Sequence, residues 1–501
     1  MLGSMSGQVL VIGAGPTGLT AACVLSSWGI HVRVVDAAEA PFAGSRGKGM
    51  QPRTLEILDN LGVSGRLIAT GRSRLLARHY HPDGSFQLVD LNEGAEPGPD
   101  SPYGRSLIIP QWRTEQVLRE RLASHGVEVE WGRGVTELEQ DQAGVVARFA
   151  DGTEARADYA IGCDGGSSTV RRLLGVPFLG ETTESVRMLV GDVELEGLDR
   201  DHWHIWLGEN FRGVALCPLP ATDTFQFQAP LPPGQPDEPS LANCQRIVDD
   251  VIGPGRVRLR RATWLSKWRL NVRMVDRYRV GRVFLAGDAA HVHSPAGGQG
   301  LNTGVQDAAN LGWKLAHVLA GAPESLLDTY QAERLPVAAG VLGLSNRLMD
   351  KVPGARPAAD RTEALQLGVS YRGGPLAPPV DADGPNPGDR APDALCRTAT
   401  GEPVRLFELF RGPHWTLLDF GHPEHTLGIP TAYIGRDVID HEGHARRAYA
   451  ARDGELVLVR PDGYIGTRSL DAAEIAGYLG AAGAGVVNSA GTDSDQRRVR
   501  A

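Results

Sequence analysis

Near the start of the chain, residues Gln8–Ile12 are an apolar run of strand length, and "LTAACVLSSWG" then reads as a helix ending at Gly29. "IHVRVVD" follows with strand alternation and stops at Asp36, and "GAGPTG" separates the first strand from the helix. The same order returns far downstream: an apolar strand over 283–286, the pair Gly287 and Asp288, the glycine-rich "HSPAGGQGLNTG", and a helix. In that helix Val305, Ala308, Leu311, Leu315 and Leu319 recur at helical spacing. Between residues 182 and 268 the period shortens to alternating segments such as "MLVGDVEL", "HWHIWL" and "FQFQAPL", broken by Gly and Pro, which predicts an antiparallel sheet. Residues 351–388, rich in Pro, Gly, Ala and Asp, read as a linker. Residues 481–501 contain "GAAGAG" without a strand and helix around it and read as a disordered tail.

Length and composition narrow the function classes. With 501 residues the chain has room for about three domains. No apolar run approaches the ~18 residues that span a bilayer, so membrane insertion is not expected. The 60 acidic residues outnumber the 51 basic ones for a net charge of −9, the wrong sign for gripping nucleic acid. Cys23, Cys163, Cys217, Cys244 and Cys396 form no close pair, which argues against a metal knuckle or a disulfide framework and fits the reducing cytoplasm. No metal site is expected.

Strand, glycine turn, helix and terminal acid together make the first loop a dinucleotide fingerprint: Gly13, Gly15 and Gly18, with Pro16 and Thr17 between them and Asp36 placed for a ribose diol. The pattern leaves NAD, NADP and FAD open. The simplest account of the second turn is that both turns hold one ligand, with Asp288 toward a polyol hydroxyl. The helix-start N–H groups of Gly300, Leu301 and Asn302 would then face a group that becomes negative, as a reduced flavin does.

"GAGPTG", "CDGGSSTVRRLLG" and "LAGDAAHVHSPAGGQGLNTGVQDAANLGWKL" resemble, in order and spacing, the three signatures of the single-component FAD-dependent aromatic hydroxylases, the para-hydroxybenzoate and phenol hydroxylase group, most of all bacterial enzymes acting on aromatic polyketides. The resemblance implies an α/β fold: a βαβ Rossmann-like FAD domain (1–75, 105–180 and 275–350) interrupted by a mostly antiparallel substrate domain (76–104 and 181–274). A thioredoxin-like C-terminal domain (389–480) would follow. It implies cofactor contacts from Gly13, Gly15, Pro16, Thr17, Gly18, Asp36, Arg46, Lys48, Gln111, the Val135 backbone, Asp164, Gly165, Asp288, Pro295, Gly298, Gly300, Leu301 and Asn302. Alternatives stay open residue by residue. Asp164 is as good a helix cap as a cofactor contact. His291 and His293 read as structural rather than acid–base groups. Trp203, Trp206, Phe211, Phe225 and Phe227 are either a ring-binding wall or sheet core.

The implied chemistry is reduction of FAD by NADPH or NADH, then O2 activation as a flavin C4a-hydroperoxide that hydroxylates an aromatic polyketide or polycyclic phenol. Pro295 and Arg53 are the catalytic candidates, Arg53 as a cation that would favour the competing Baeyer–Villiger insertion into a ketone. A reading from another class is a non-catalytic flavoprotein sequestering an aromatic drug. The chain would act as monomer or homodimer. Cys396 is the only C-terminal cysteine, so packing rather than dithiol redox work is expected of that domain.

Overall fold

The computed structural model describes residues 7–207, 213–232, 234–294, 297–349, 363–380, 382–422, 425 and 427–483. Pro295, Phe211, residues 351–362 of the expected linker and the tail from 484 onward lie outside the described residues.

The central sheet has six strands in the order Arg279–Val280, Val283–Leu285, Tyr159–Gly162, Gln8–Ile12, His31–Val35, Val129–Glu130, parallel except at the first. The glycine fingerprint, the "CDGG" motif and the "GDAAH" motif leave the carboxyl ends of three adjacent strands, where Ile12 is in register with Gly162 and Gly162 with Leu285. Open α/β sheets bind ligands at such ends, because the loops there diverge and helix N-termini point into the gap. Residues some 150 positions apart in sequence thus become neighbours.

Helices Pro16–Ser27 and Gly300–Leu319 pack on this sheet, and the second is buried at nearly every position from Asn302 to His317. Their close crossing depends on missing side chains: a Cβ at Gly304 would lie 2.3 Å from Thr17 Oγ1, and one at Gly312 would lie 2.5 Å from Val24 Cγ1.

The second sheet has eight strands, with Arg258–Met274, Leu179–Glu196, Phe225–Leu231, Gly213–Pro218 and His202–Leu207 in that spatial order. Leu76–Tyr80 and Phe86–Val89 extend one edge of it, and His291–Val292 pairs at the other. Strand alternation gives it two unlike faces. Leu189, Val193, Val214, Leu216, Phe225 and Phe227 form a core under the amphipathic helix Leu241–Ile252, with Trp206 packed against them. Asp192, Gln226, Gln228 and Trp203 lie on the opposite face, toward Ser45 and Lys48. The aromatic cluster therefore divides: Phe225, Phe227 and Trp206 are core, whereas Trp203 faces Lys48 on the other side.

In the C-terminal domain a four-stranded sheet (Thr431–Tyr433, Thr416–Asp419, Leu456–Val459, Ile465–Ser469) carries the helix Ala472–Ala481. That helix reaches one residue into the stretch expected as tail, and Ala482 is still buried. Residues 363–388 do more than connect. Gln366 donates to Gln299 Oε1 at 2.7 Å, and Tyr371 packs beside Tyr464 with its hydroxyl 3.0 Å from Arg334. All five cysteines are free and buried, and burial pushes the Cys396 thiol up to about 12, which keeps it unreactive.

Candidate flavin and substrate site

The first glycine loop is shaped for close approach. Gly13 has φ +110°, and a Cβ there would lie 2.3 Å from the carbonyl oxygen of Cys163, so loop and second motif touch backbone to backbone. Gly15 ends the strand turn and precedes Pro16 at the first helical position; no side chain caps this helix, and a Cβ on Gly15 would meet nothing within 4 Å. A helix N-terminus with uncapped donors beside open space fits a pyrophosphate. Asp36 accepts from Ala14 N at 2.7 Å and Ala38 N at 2.8 Å, which fixes the carboxylate at the strand end. Beside it Arg133 N donates to Asp36 O and Gly132 N to Ala38 O, so the chain entering Val135 borders the same recess.

The two glycine turns meet at Thr17. A Cβ on Gly287 would lie 2.5 Å from Thr17 Oγ1, and Gly304 approaches the same hydroxyl. Asp288, next to Gly287, is solvent-exposed yet surrounded by protein mass. It lies on the floor of a recess, where burial raises its pKa and the nearby His291 and Arg46 oppose the rise. No side chain caps the helix Gly300–Leu319 either, which leaves its first donors beside Asp288 and His293.

Residues 45–51 form the third wall. Asn302 staples them to the second loop: its Oδ1 accepts from Gln51 N at 2.8 Å and its Nδ2 donates to Gly49 O and Gly298 O. The Asn302 amide is therefore engaged with protein, and only its backbone remains for a ligand. Gln111 Oε1 accepts from Gly47 N at 3.0 Å, while its Nε2 donates to Glu115. Arg46 is exposed with its guanidinium over the Phe42 ring, and Leu301 Cδ1 comes within 3.8 Å of where a Gly47 Cβ would sit.

Two expected site residues turn elsewhere. The Lys48 side chain leaves the cofactor loops for the second sheet, where Nζ donates to Gln226 and Gln228 and lies 4.3 Å from the Trp203 ring centroid. Arg53, expected to be catalytic, is buried against the C-terminal domain, bonded to Glu56 at 2.9 Å and Asp462 O at 2.8 Å, and stacked on Tyr464. It is the second residue of the helix Pro52–Asn60, and its side chain turns to the C-terminal domain instead of to residues 47–51. The cation invoked for Baeyer–Villiger chemistry is thereby engaged as a domain clamp.

Asp164 caps the short helix Thr169–Leu173, accepting from Thr169 N at 2.7 Å and Val170 N at 3.1 Å, next to Gly165 at φ +81°. Asp164→Ala is expected to cost about 1 kcal/mol, read as a lower denaturant midpoint with flavin content unchanged. Lost flavin at an unchanged midpoint would instead make Asp164 a ligand.

His291 is structural: its Nε2 is 2.7 Å from Asp307, which also accepts from Gly287 N and from Arg334, all fully buried. His293 is held below its usual pKa, at about 4, chiefly by burial, so it is neutral at pH 7. Sequence reasoning missed Asp307, Arg334 and Glu115. Burial lifts the Glu115 carboxyl to about 7, against Gln111 and Arg119. Its only sequence signal is the four-residue helical spacing from Gln111.

Among the described residues no cluster of His, Cys, Asp and Glu could hold a metal, and no helix is long and apolar enough to cross a membrane. The cradle itself tests FAD: backbone-only contact at Gly13, a clear approach at Gly15, two uncapped helix starts and a ribose-ready acid all fit an extended dinucleotide.

Comparison with known proteins gives the same answer. The FAD binding domain family matches residues 6–345, and the aromatic-ring hydroxylase C-terminal family matches 384–486. A flavin-dependent monooxygenase of Mycobacteroides abscessus is 43% identical over 94% of this chain and 99% of its own. The 6-methylpretetramide 4-monooxygenase of Streptomyces rimosus is 36% identical over 92% of this chain and 90% of its own. A crystal structure of aklavinone-11 hydroxylase with FAD and aklavinone superposes with a TM-score of 0.82 at 27% identity, covering 95% of this chain and 99% of that one. The chain therefore belongs to the FAD-dependent aromatic-ring hydroxylases and is a flavin monooxygenase.

Proposed function

We propose that this enzyme hydroxylates an aromatic polyketide or polycyclic phenol in bacterial secondary metabolism, with NADPH or NADH as reductant and O2 as oxygen source. The observation that carries the reading is the sheet face opposed to the cofactor loops. It offers one indole, two amides and a lysine instead of the apolar surface of the other face, which suits a flat ring system bearing oxygens. The name of one relative specifies 6-methylpretetramide and one similar structure holds aklavinone, in support of a polycyclic substrate. Bound FAD supplies the electron storage and oxygen activation. The chain supplies the dinucleotide cradle, the pinned segment 45–51, and a sheet that covers the ring from water. Five unpaired, buried thiols suit the cytoplasm.

The test is anaerobic stopped-flow reduction of the bound flavin by NADPH or NADH, with and without polycyclic phenols. A fitting substrate is expected to speed bleaching at least about tenfold, about 1.4 kcal/mol of barrier. Aerobic turnover should then add one oxygen as a ring hydroxyl. An ester or lactone product would mean insertion, and a flavin bleached by neither nicotinamide would overturn the reading.

A further inference from the structure

Lys48, half-buried between the segment 45–51 and the second sheet, has different partners from the cations paired in the core. Lys314 meets Glu333 at 2.7 Å, Arg334 meets Asp307 at 2.7 Å, and Arg468 meets Glu455 at 2.8 Å, so each has a carboxylate in contact. Among the described residues Lys48 bonds the neutral amide oxygens of Gln226 and Gln228, which take two of the three donors of an ammonium. The acid on this sheet face, Asp192, lies on the adjacent strand opposite Gln226, is 1% exposed, and has no well-aligned hydrogen-bond partner for either oxygen among the described residues. The Ser45 hydroxyl approaches that carboxylate without an aligned hydrogen bond; burial first, against Ser45 and Lys48, leaves its pKa at about 6. A buried carboxylate without an aligned donor is costly, and functional sites are where such groups persist.

The position of Lys48 is set from both sides. Its neighbours are tied to the flavin loop: Gly49 O accepts from Asn302, and Gly47 N donates to Gln111. The side chain between them crosses to the sheet and rests over Trp203. The ammonium is therefore held between the cofactor loops and the sheet face, over the Trp203 indole.

We propose that Lys48 is the substrate-orienting residue, taking the ionised oxygen of an acidic ring hydroxyl, a phenol or enol, with Asp192 behind it as a positioning residue. This rests on the monooxygenase reading above and narrows its substrate to rings with such a hydroxyl. On binding, the hydroxyl proton leaves to solvent and the oxyanion takes the open donor of the ammonium. The other titratable group packed here is the Cys217 thiol on Gly213–Pro218, raised to about 11 by burial and hence neutral, with Arg200 and Arg72 beyond it. On Lys48's own segment the remaining cation is Arg46, turned to Phe42.

The experiment titrates a coloured hydroxyanthraquinone, whose neutral and ionised forms absorb differently, bound to oxidised holoenzyme, with its methyl ether as control. In the unmodified enzyme the ionised band should appear below the free ligand's pKa. Lys48→Met should raise the bound ligand's pKa by about one unit and weaken its binding about tenfold without weakening the ether. Lys48→Arg should restore part of the shift. Asp192→Asn should move the pKa the other way, because an anion near the oxyanion is removed, an effect a merely structural role would not produce. Flavin content certifies each variant, and Lys48→Gln replaces any Lys48→Met protein that lacks flavin. If the Lys48 variants leave the bound pKa and the preference over the ether unchanged while the ligand still accelerates flavin reduction, this proposal falls and the monooxygenase reading stands. If no ring compound binds or accelerates reduction, the reading falls and the proposal with it.

Discussion

Glu333→Ala is expected to destabilise the chain by about 3–5 kcal/mol, because it leaves buried Lys314 without its carboxylate and Arg460 with Asp462 alone. Glu333 accepts from Arg460 at 2.7 and 2.9 Å, from Lys314 at 2.7 Å and from Asn310 at 2.7 Å, all without solvent exposure. Lys314 and Asn310 come from the helix that starts at the flavin site, whereas Arg460 comes from the C-terminal domain. A loss of that size is a large fraction of the ~5–15 kcal/mol that holds a typical domain. Glu333→Gln keeps the shape and loses the charge, so it should fall between the two. Denaturant midpoints followed by flavin release and by far-ultraviolet dichroism would separate the junction from the rest. A midpoint unchanged in Glu333→Ala would show that the junction is not a stabilising unit.

The same group gives a pH dependence. Burial acts to raise the Glu333 pKa, but Arg460 and Lys314 outweigh it and hold the carboxyl well below the usual range. A depressed folded-state pKa means the unfolded chain binds the proton more readily. The stabilisation is complete above the ordinary glutamate pKa, about 4.3, and is lost as pH falls below it toward the folded value. Lys314 keeps a lowered pKa of about 8, chiefly from burial, with Glu333 opposing the shift. Acid should thus detach the C-terminal domain, a step that Glu333→Gln would blunt.

Gly13→Val should yield a folded but colourless protein. The Cβ would lie 2.3 Å from Cys163 O at a φ of +110°, so the loop must move away from the second motif. Displacement by even an ångström removes the backbone donors from the phosphates, and FAD affinity should fall a hundredfold or more, about 3 kcal/mol. The ratio of flavin to protein absorbance after purification reads this directly, with dichroism as the folding control. Wild-type flavin content in this variant would place the cofactor elsewhere.

The C-terminal domain, with no dithiol and with Cys396 buried, works as a clamp. Arg53 and Glu56 meet Asp462 O and Arg390, Trp415 Nε1 donates to His317 Nε2 at 3.0 Å, and Arg460 lies 5.3 Å from the Trp313 ring centroid. Its contacts run down the back of the helix whose N-terminus lines the flavin site, so its packing fixes that helix.

The glycine spacings and the strand and helix periods on either side of them determined the cofactor loops, because backbone turns at Gly13, Gly15 and Gly287 are local consequences of local sequence. The period-two segments between 182 and 268 likewise determined an antiparallel sheet. Local sequence does not carry which face of that sheet meets the flavin, since alternation defines two faces and only packing names the inner one; helix Leu241–Ile252 covers Phe225 and Phe227, and Gln226 and Asp192 fall on the other side. Long side chains were the other blind spot. Arg53 and Lys48 sit five residues apart on one segment, yet one anchors to the C-terminal domain and the other to the eight-stranded sheet. A charged side chain reaches several ångströms beyond its backbone and settles on whichever buried partner tertiary packing brings within reach.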